Sequence, residues 1–331
     1  MKGRYHIIVQ NKRIRYEFEI KRNITILRGD SATGKTTLYD MVALASRNHG
    51  SSGIEIHCEK KCRTLEAPDW KFLLPSLHDY IIFIDEGSTF IKSTTFASMA
   101  KKSDNYFVII TREDLPNLPY SVNEIYGIHS SGKYHNTKRI YNEFYEIYSA
   151  ESILGKMKSG QTEPIKFKPD KIIVEDSNSG YEFFLHVCQK AGITCQSSGG
   201  KSKIKDLLDK SDQNHILIIA DGASIGPEIN ELFLFMQSHP NTKCYLPESF
   251  EWLILKSGLI DGNAVSNILD HPQDFIESQE YFSWERFFTA VLVKYTQNTY
   301  LSYSKYQLNN SYLHDRPKKA ILDIIEGISL K

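Results

Sequence analysis

A short apolar run, Asn23–Leu27, passes directly into Arg28-Gly-Asp-Ser-Ala-Thr-Gly-Lys-Thr-Thr, and then into a helix-patterned segment, Leu38–Arg47. No other stretch of the 331 residues limits the fold so sharply. Gly29 and Gly34 let the backbone curl so that successive N–H groups point inward, and the following helix adds the positive potential of its N-terminus. A loop of this kind works only between a buried strand and a helix, so the N-terminal region is expected to be α/β. The expected anion cradle runs through Gly29, Asp30, Ser31, Ala32, Thr33, Gly34, Lys35, Thr36 and Thr37.

The spacing Gly29-x4-Gly34-Lys35-Thr36 matches the P-loop, or Walker A, pattern of nucleoside triphosphate-binding proteins. The match implies ATP with Mg²⁺, with Lys35 reaching the β- and γ-phosphates and the Thr36 hydroxyl on the metal. Tyr80-Ile-Ile-Phe-Ile-Asp85-Glu86 is an apolar strand ending in two acids, the Walker B pattern. Asp85 is expected to hold Mg²⁺ through water, and Glu86 to polarise the attacking water. The separate glutamate resembles the additional-strand, catalytic-glutamate ATPases. A third strand, Tyr106–Thr111, places Thr111 where that class senses the γ-phosphate. Arg112, next in line, is expected to pair with Glu113 at the surface, an arginine finger being the other reading. No Leu-Ser-Gly-Gly-Gln signature lies between the two motifs, so a compact ATPase core fits better than an ABC engine.

The segment Gly155–Asp170 is polar and basic with two prolines, as a linker is, and strand–helix alternation resumes after it. Ile172-Ile-Val-Glu175-Asp176 and Ile218-Ile-Ala-Asp221-Gly222-Ala223-Ser-Ile-Gly226 are strands ending in carboxylates. Neighbouring parallel strands would bring Glu175 and Asp221 together as oxygen ligands for Mg²⁺. Residues 170–260 resemble the TOPRIM domain of topoisomerases, bacterial primases and OLD (overcoming lysogenization defect) nucleases, with Glu175, Asp221, Gly222 and Gly226 on the matching positions. Ala223 stands where the second aspartate belongs, and Asp176 replaces a glycine. Asp176, Glu182, Glu228, Glu248 and Glu251 are candidate compensating acids. A nuclease, cleaving through a bound cation, competes with a domain kept for binding or assembly.

The expected fold class is thus α/β, a P-loop NTPase parallel sheet followed by a TOPRIM-like domain with a helical extension. Its boundaries are 1–155, a linker at 156–169, 170–265 and 266–331. That layout is similar to OLD-type ATPase-nucleases, many implicated in bacterial anti-phage defence, and it implies DNA or RNA, a second copy or a partner protein as partners. The 40 basic and 40 acidic residues cancel, which leaves a nucleic-acid partner undecided. Five scattered cysteines read as free thiols, Cys58 and Cys62 beside His57 included, rather than a disulfide framework or a zinc clip. No apolar run is long enough to span a membrane, and a cytoplasmic setting is expected. Near the C-terminus, Lys294–Gln307 interleaves lysine with tyrosine; the tyrosines are expected to pack inward rather than stack bases.

Overall fold

The computed structural model describes residues 1–30, 33–48, 52–131, 139–149, 153, 166–209 and 215–330. The first of two compact units comprises Met1–Ile147 and His271–Phe282; the second comprises Tyr148–Asp270 and Ser283–Lys331. The expected 266–331 extension is therefore divided, because residues of His271–Phe282 bond the N-terminal region: Gly3 N–H donates to Gln273 O at 2.8 Å, and the Asn23 side-chain amide donates to Phe282 O at 2.8 Å.

Unit 1 runs β1 (Tyr5–Gln10), β2 (Ile14–Ile20), β3 (Ile24–Leu27), α1 (Lys35–Arg47), β4 (Glu55–His57), β5 (Lys61–Thr64), α2 (Trp70–Leu73), β6 (Tyr80–Ile84), α3 (Thr94–Lys102), β7 (Tyr106–Ile110), β8 (Ile125–Ser131) and β9 (Ile140–Glu146). Its nine-stranded sheet has the order β4-β1-β2-β9-β8-β3-β7-β6-β5. Strands β8, β3, β7, β6 and β5 are mutually parallel. Every residue of β3 and β7 is buried, as expected of strands covered on both faces. One strand, β7, lies between the strand that leads into the glycine-rich loop and the strand that ends at Asp85.

The sheet is mixed, not purely parallel. β1 and β2 form an antiparallel hairpin in the register Tyr5↔Ile20 to Gln10↔Arg15. β8 and β9 are antiparallel from Tyr126↔Glu146 to Ser131↔Tyr141, with residues 132–138 outside the described set. β9 in turn lies parallel to β2, which joins the N-terminal hairpin to the parallel core. Burial alternates in β1, with Tyr5, Ile7 and Val9 buried, which marks a part of the sheet with one covered face.

Unit 2 runs β10 (Lys171–Val174), α4 (Ser179–Ala191), β11 (Thr194–Ser197), α5 (Ile204–Leu208), β12 (Ile216–Ile219), α6 (Ile229–Ser238), β13 (Thr242–Tyr245), α7 (Phe250–Lys256), α8 (Asn263–Asp270), α9 (Trp284–Thr296) and α10 (Asp315–Asp323). Its four-stranded sheet, β11-β10-β12-β13, is parallel throughout. The all-apolar β10 and β12 tails and the helices between them dictate that arrangement, since parallel strands need crossovers. Strand β11, TCQS, is short and polar and was not marked by the sequence pattern. No helix among the described residues is long and apolar enough to cross a membrane.

Candidate nucleotide and carboxylate sites

Strand β3 ends at Leu27, and the loop that follows turns through Gly29 (φ +136°) and Gly34 (φ +90°), both in the region side chains disfavour. Gly34 is the left-handed N-cap of α1. The first helical side chain, Lys35, folds back into the loop: its Nζ donates to Gly29 O at 2.9 Å, to Asp30 O at 2.6 Å and to Thr33 Oγ1 at 2.9 Å. Lys35 is buried, and burial, with Arg112 next, pulls its ammonium below the usual lysine range against the opposing Glu86 and Asp30. Ser31 and Ala32 lie outside the described residues. Thr36 is exposed at the start of α1, and Thr37 is half-buried.

Registers Leu27↔Ile110 and Ile84↔Ile109 bring the carboxyl ends of β3, β7 and β6 side by side. Asp85 is half-buried just past β6, and Glu86 follows, exposed. That is the crevice at which open α/β sheets bind ligands. Arg112 does not pair with Glu113, as expected from its neighbourhood in the chain. Its Nε lies 3.1 Å from Glu86 Oε1, whereas Glu113 is bridged by Lys92 at 3.0 Å. The reason is the turn after β7, where the buried Thr111 Oγ1 accepts from Glu113 N–H at 3.0 Å and sends Arg112 outward toward β6. The Thr111 hydroxyl is thus committed to the turn in this conformation.

A residue that sequence reasoning missed stands beneath the loop. Tyr16, on β2, is 1% exposed, and its hydroxyl donates to Gly34 O at 2.7 Å. Burial pushes that phenol up to about 12, opposed by a hydrogen bond from Thr37.

In unit 2 the register Val174↔Ile219 sets Glu175 and Asp221 at neighbouring strand ends, and Asp221 N–H points to Glu175 Oε2 at 3.5 Å. Burial, followed by Glu285, raises the Glu175 carboxyl and raises Asp221 well above the usual carboxylate range. A small cleft here is lined by Glu175, Asp176, Asp221, Phe184, Phe250 and Leu253. Gly222 is required for a close approach: a Cβ there would lie 2.5 Å from Leu246 O.

The expected compensating acids separate. Asp176 caps α4, accepting from Asn178 N–H at 3.0 Å and Gly180 N–H at 2.9 Å. Glu182 accepts from Leu308 N–H at 2.7 Å, and Glu228 lies 3.4 Å from Lys201 Nζ. Glu251 joins the cluster, and Asp176 lines the same cleft. Glu251 is 2% exposed, accepts from Tyr303 Oη at 2.9 Å and faces Lys305 Nζ at 4.0 Å. Two further members, absent from the sequence reading, are Glu285, which is ion-paired to Lys305, and Lys305 itself. Burial lowers the Lys305 ammonium, but Glu251 and Glu285 outweigh it, and the net shift is upward.

Two cation sites were expected. On unit 1 the donor types fit Mg²⁺: a hydroxyl at Thr36 and a strand-end carboxylate at Asp85. On unit 2 they do not fit the paired-cation centre of the nuclease reading. Ala223 supplies no ligand, and Lys305 brings its own positive charge among the acids. Among the described residues no group of three or more His, Cys, Asp or Glu is arranged to hold a metal, and Cys58 and Cys62 are free thiols. No known family, curated protein or solved structure matches the chain.

Proposed function

We propose that the chain binds ATP with Mg²⁺ at Gly29–Thr37 and hydrolyses it, and that the nucleotide state sets what unit 2 engages. The observation that carries the reading is Lys35. A buried ammonium bonded, among the described residues, to its own loop's carbonyls and a hydroxyl, at the junction of a buried strand and a helix, is a cation arranged for an incoming anion. Support also comes from β7, inserted between β3 and β6 as in the additional-strand ATPases that the motifs resemble.

In this mechanism Lys35 leaves the loop carbonyls for the β- and γ-phosphates, while the loop amides and the α1 N-terminus hold the phosphate chain. Thr36 and Asp85 would hold the Mg²⁺, which neutralises charge on the phosphates when bound. Glu86 orients the attacking water and draws on its proton. To do so it must leave Arg112. Both partners are about half exposed, so this ion pair is worth no more than about 1 kcal/mol and opens at little cost. Lys35→Ala should abolish ATP retention, and Glu86→Gln should retain ATP with turnover reduced at least about a hundredfold, the usual scale for losing a general base. Turnover undiminished by Glu86→Gln would remove that residue from its role.

Unit 2 is read as TOPRIM-like, and its Lys305–Glu251–Glu285 network favours binding or assembly, with nucleic acid, a protein partner or a second copy, over cleavage. Plasmid DNA or RNA incubated with Mg²⁺ or Mn²⁺, with and without ATP, should stay intact. Nicking that disappears in Glu175→Ala or Asp221→Ala would restore the nuclease reading.

A further inference from the structure

The geometry points to Tyr16 as the residue that orients the amide joining the phosphate cradle to α1, an inference that rests on reading Gly29–Thr37 as that cradle. Tyr16 lies opposite Val9 in the N-terminal hairpin and opposite Asn142 of β9. Its ring is part of the core beneath α1, which also holds Leu38, Tyr39, Met41 and Val42. A hydroxyl in that company is costly to bury unless it is hydrogen-bonded. The bond it makes is to the one carbonyl whose direction matters most to the loop.

Gly34 O accepts two donors, Leu38 N–H at 3.0 Å in the first turn of α1 and Tyr16 Oη at 2.7 Å. A carbonyl oxygen has two lone pairs, so both are used. The peptide joining Gly34 to Lys35 is planar and trans, with its C=O and N–H in opposite directions. Fixing the carbonyl on the core side therefore turns the Lys35 N–H away from the core, toward the mouth of the loop, before any ligand arrives. Donors preset in this way spare the ligand the cost of ordering them. The same contact explains Gly34 a second time. Apart from its φ of +90°, a Cβ there would stand 2.7 Å from Tyr16 Oη. Tyr16 touches no phosphate; it is a positioning residue, and the hairpin of β1 and β2 becomes part of the nucleotide site.

The test compares Mg·ATP and Mg·ADP affinities of wild type, Tyr16→Phe and a protein carrying 3-fluorotyrosine at position 16. Phenylalanine keeps the ring and removes the hydroxyl; the fluorinated phenol is a stronger donor of nearly equal size. Tyr16→Phe should weaken both nucleotides by the same factor, roughly five- to twentyfold as for one lost hydrogen bond, with kcat at saturation within about twofold. The fluorinated residue should bind at least as tightly as wild type. Tyr312→Phe removes an equivalent buried bond in unit 2, from Tyr312 Oη to Leu301 O at 2.6 Å, and should leave nucleotide affinity unchanged. If Tyr16→Phe fails to fold, the fluorinated protein decides by itself, since a weaker affinity there contradicts the donor role. Wild type that binds while both Tyr16 proteins bind identically to it overturns the inference alone; wild type that retains neither nucleotide, like Lys35→Ala, overturns the phosphate-loop reading with it.

Discussion

Gly222 and Asp221 show how single residues divide between shape and charge. Gly222 N–H donates to Pro247 O at 2.6 Å, and no side chain fits between them. Gly222→Ala should therefore destabilise by roughly 1–3 kcal/mol, read as a lower Tm for unit 2. Asp221 is the opposite case. Its folded carboxyl holds its proton to higher pH than the unfolded one, because burial and the neighbouring Glu285 and Glu175 penalise the charge. The folded state then binds more protons than the unfolded state between the two pKa values, so its contribution to stability is present at low pH and is lost as pH rises through the folded value. Asp221→Asn, which mimics the protonated form, should raise the Tm by a few degrees at pH 8 and by less at pH 4, measured in a chelating buffer.

At the scale of elements, the segment after α9 matters more to unit 2 than its composition suggests. Ser304 O accepts from Ser179 Oγ at 2.7 Å, Lys305 O accepts from Ser179 N–H at 3.3 Å, and the Lys305 side chain enters the carboxylate cluster. Of the tyrosines in Lys294–Gln307 expected to pack inward, Tyr303 is buried and Tyr295 half-buried, but Tyr300 and Tyr306 are 71% and 84% exposed. Lys305→Met should cost roughly 1–3 kcal/mol at neutral pH, below the ~3–5 of a fully buried pair because the lysine keeps about a third of its surface. An equal Tm for the variant and the parent at pH 7 would remove Lys305 as the counter-charge. Strands β3, β6, β7, β10 and β12 were legible because each is a largely apolar run, with carboxylates closing β6, β10 and β12 and the glycine-rich loop following β3. Strand β11 was not, since its residues T-C-Q-S carry no hydrophobic signal and are held by backbone pairing to β10.

For the whole molecule, two compact units with separate sheets predict two thermal transitions. Mg·ATP at a hundred times its Kd should stabilise unit 1 by about 2.7 kcal/mol and raise only its transition, whereas Gly222→Ala should lower only the other. Coincident shifts of both transitions would show that the units unfold as one.

Local order in the chain was enough to determine the α/β class, the glycine-rich loop between β3 and α1, and the acids closing β6, β10 and β12; the linker expected at 156–169 lies mostly outside the described residues, and the first unit ends at Ile147. Each depends on neighbours in sequence, where apolar runs, glycines and strand-end charges act directly. Tertiary structure alone decided the partners of Arg112, the place of β7 between β3 and β6, the bond from Tyr16 to Gly34, and the arrival of Glu285 and Lys305 beside Asp221. Those depend on strand order and on contacts between residues 18 to 84 positions apart, and no periodicity in a sequence records which distant side chains a folded sheet brings together.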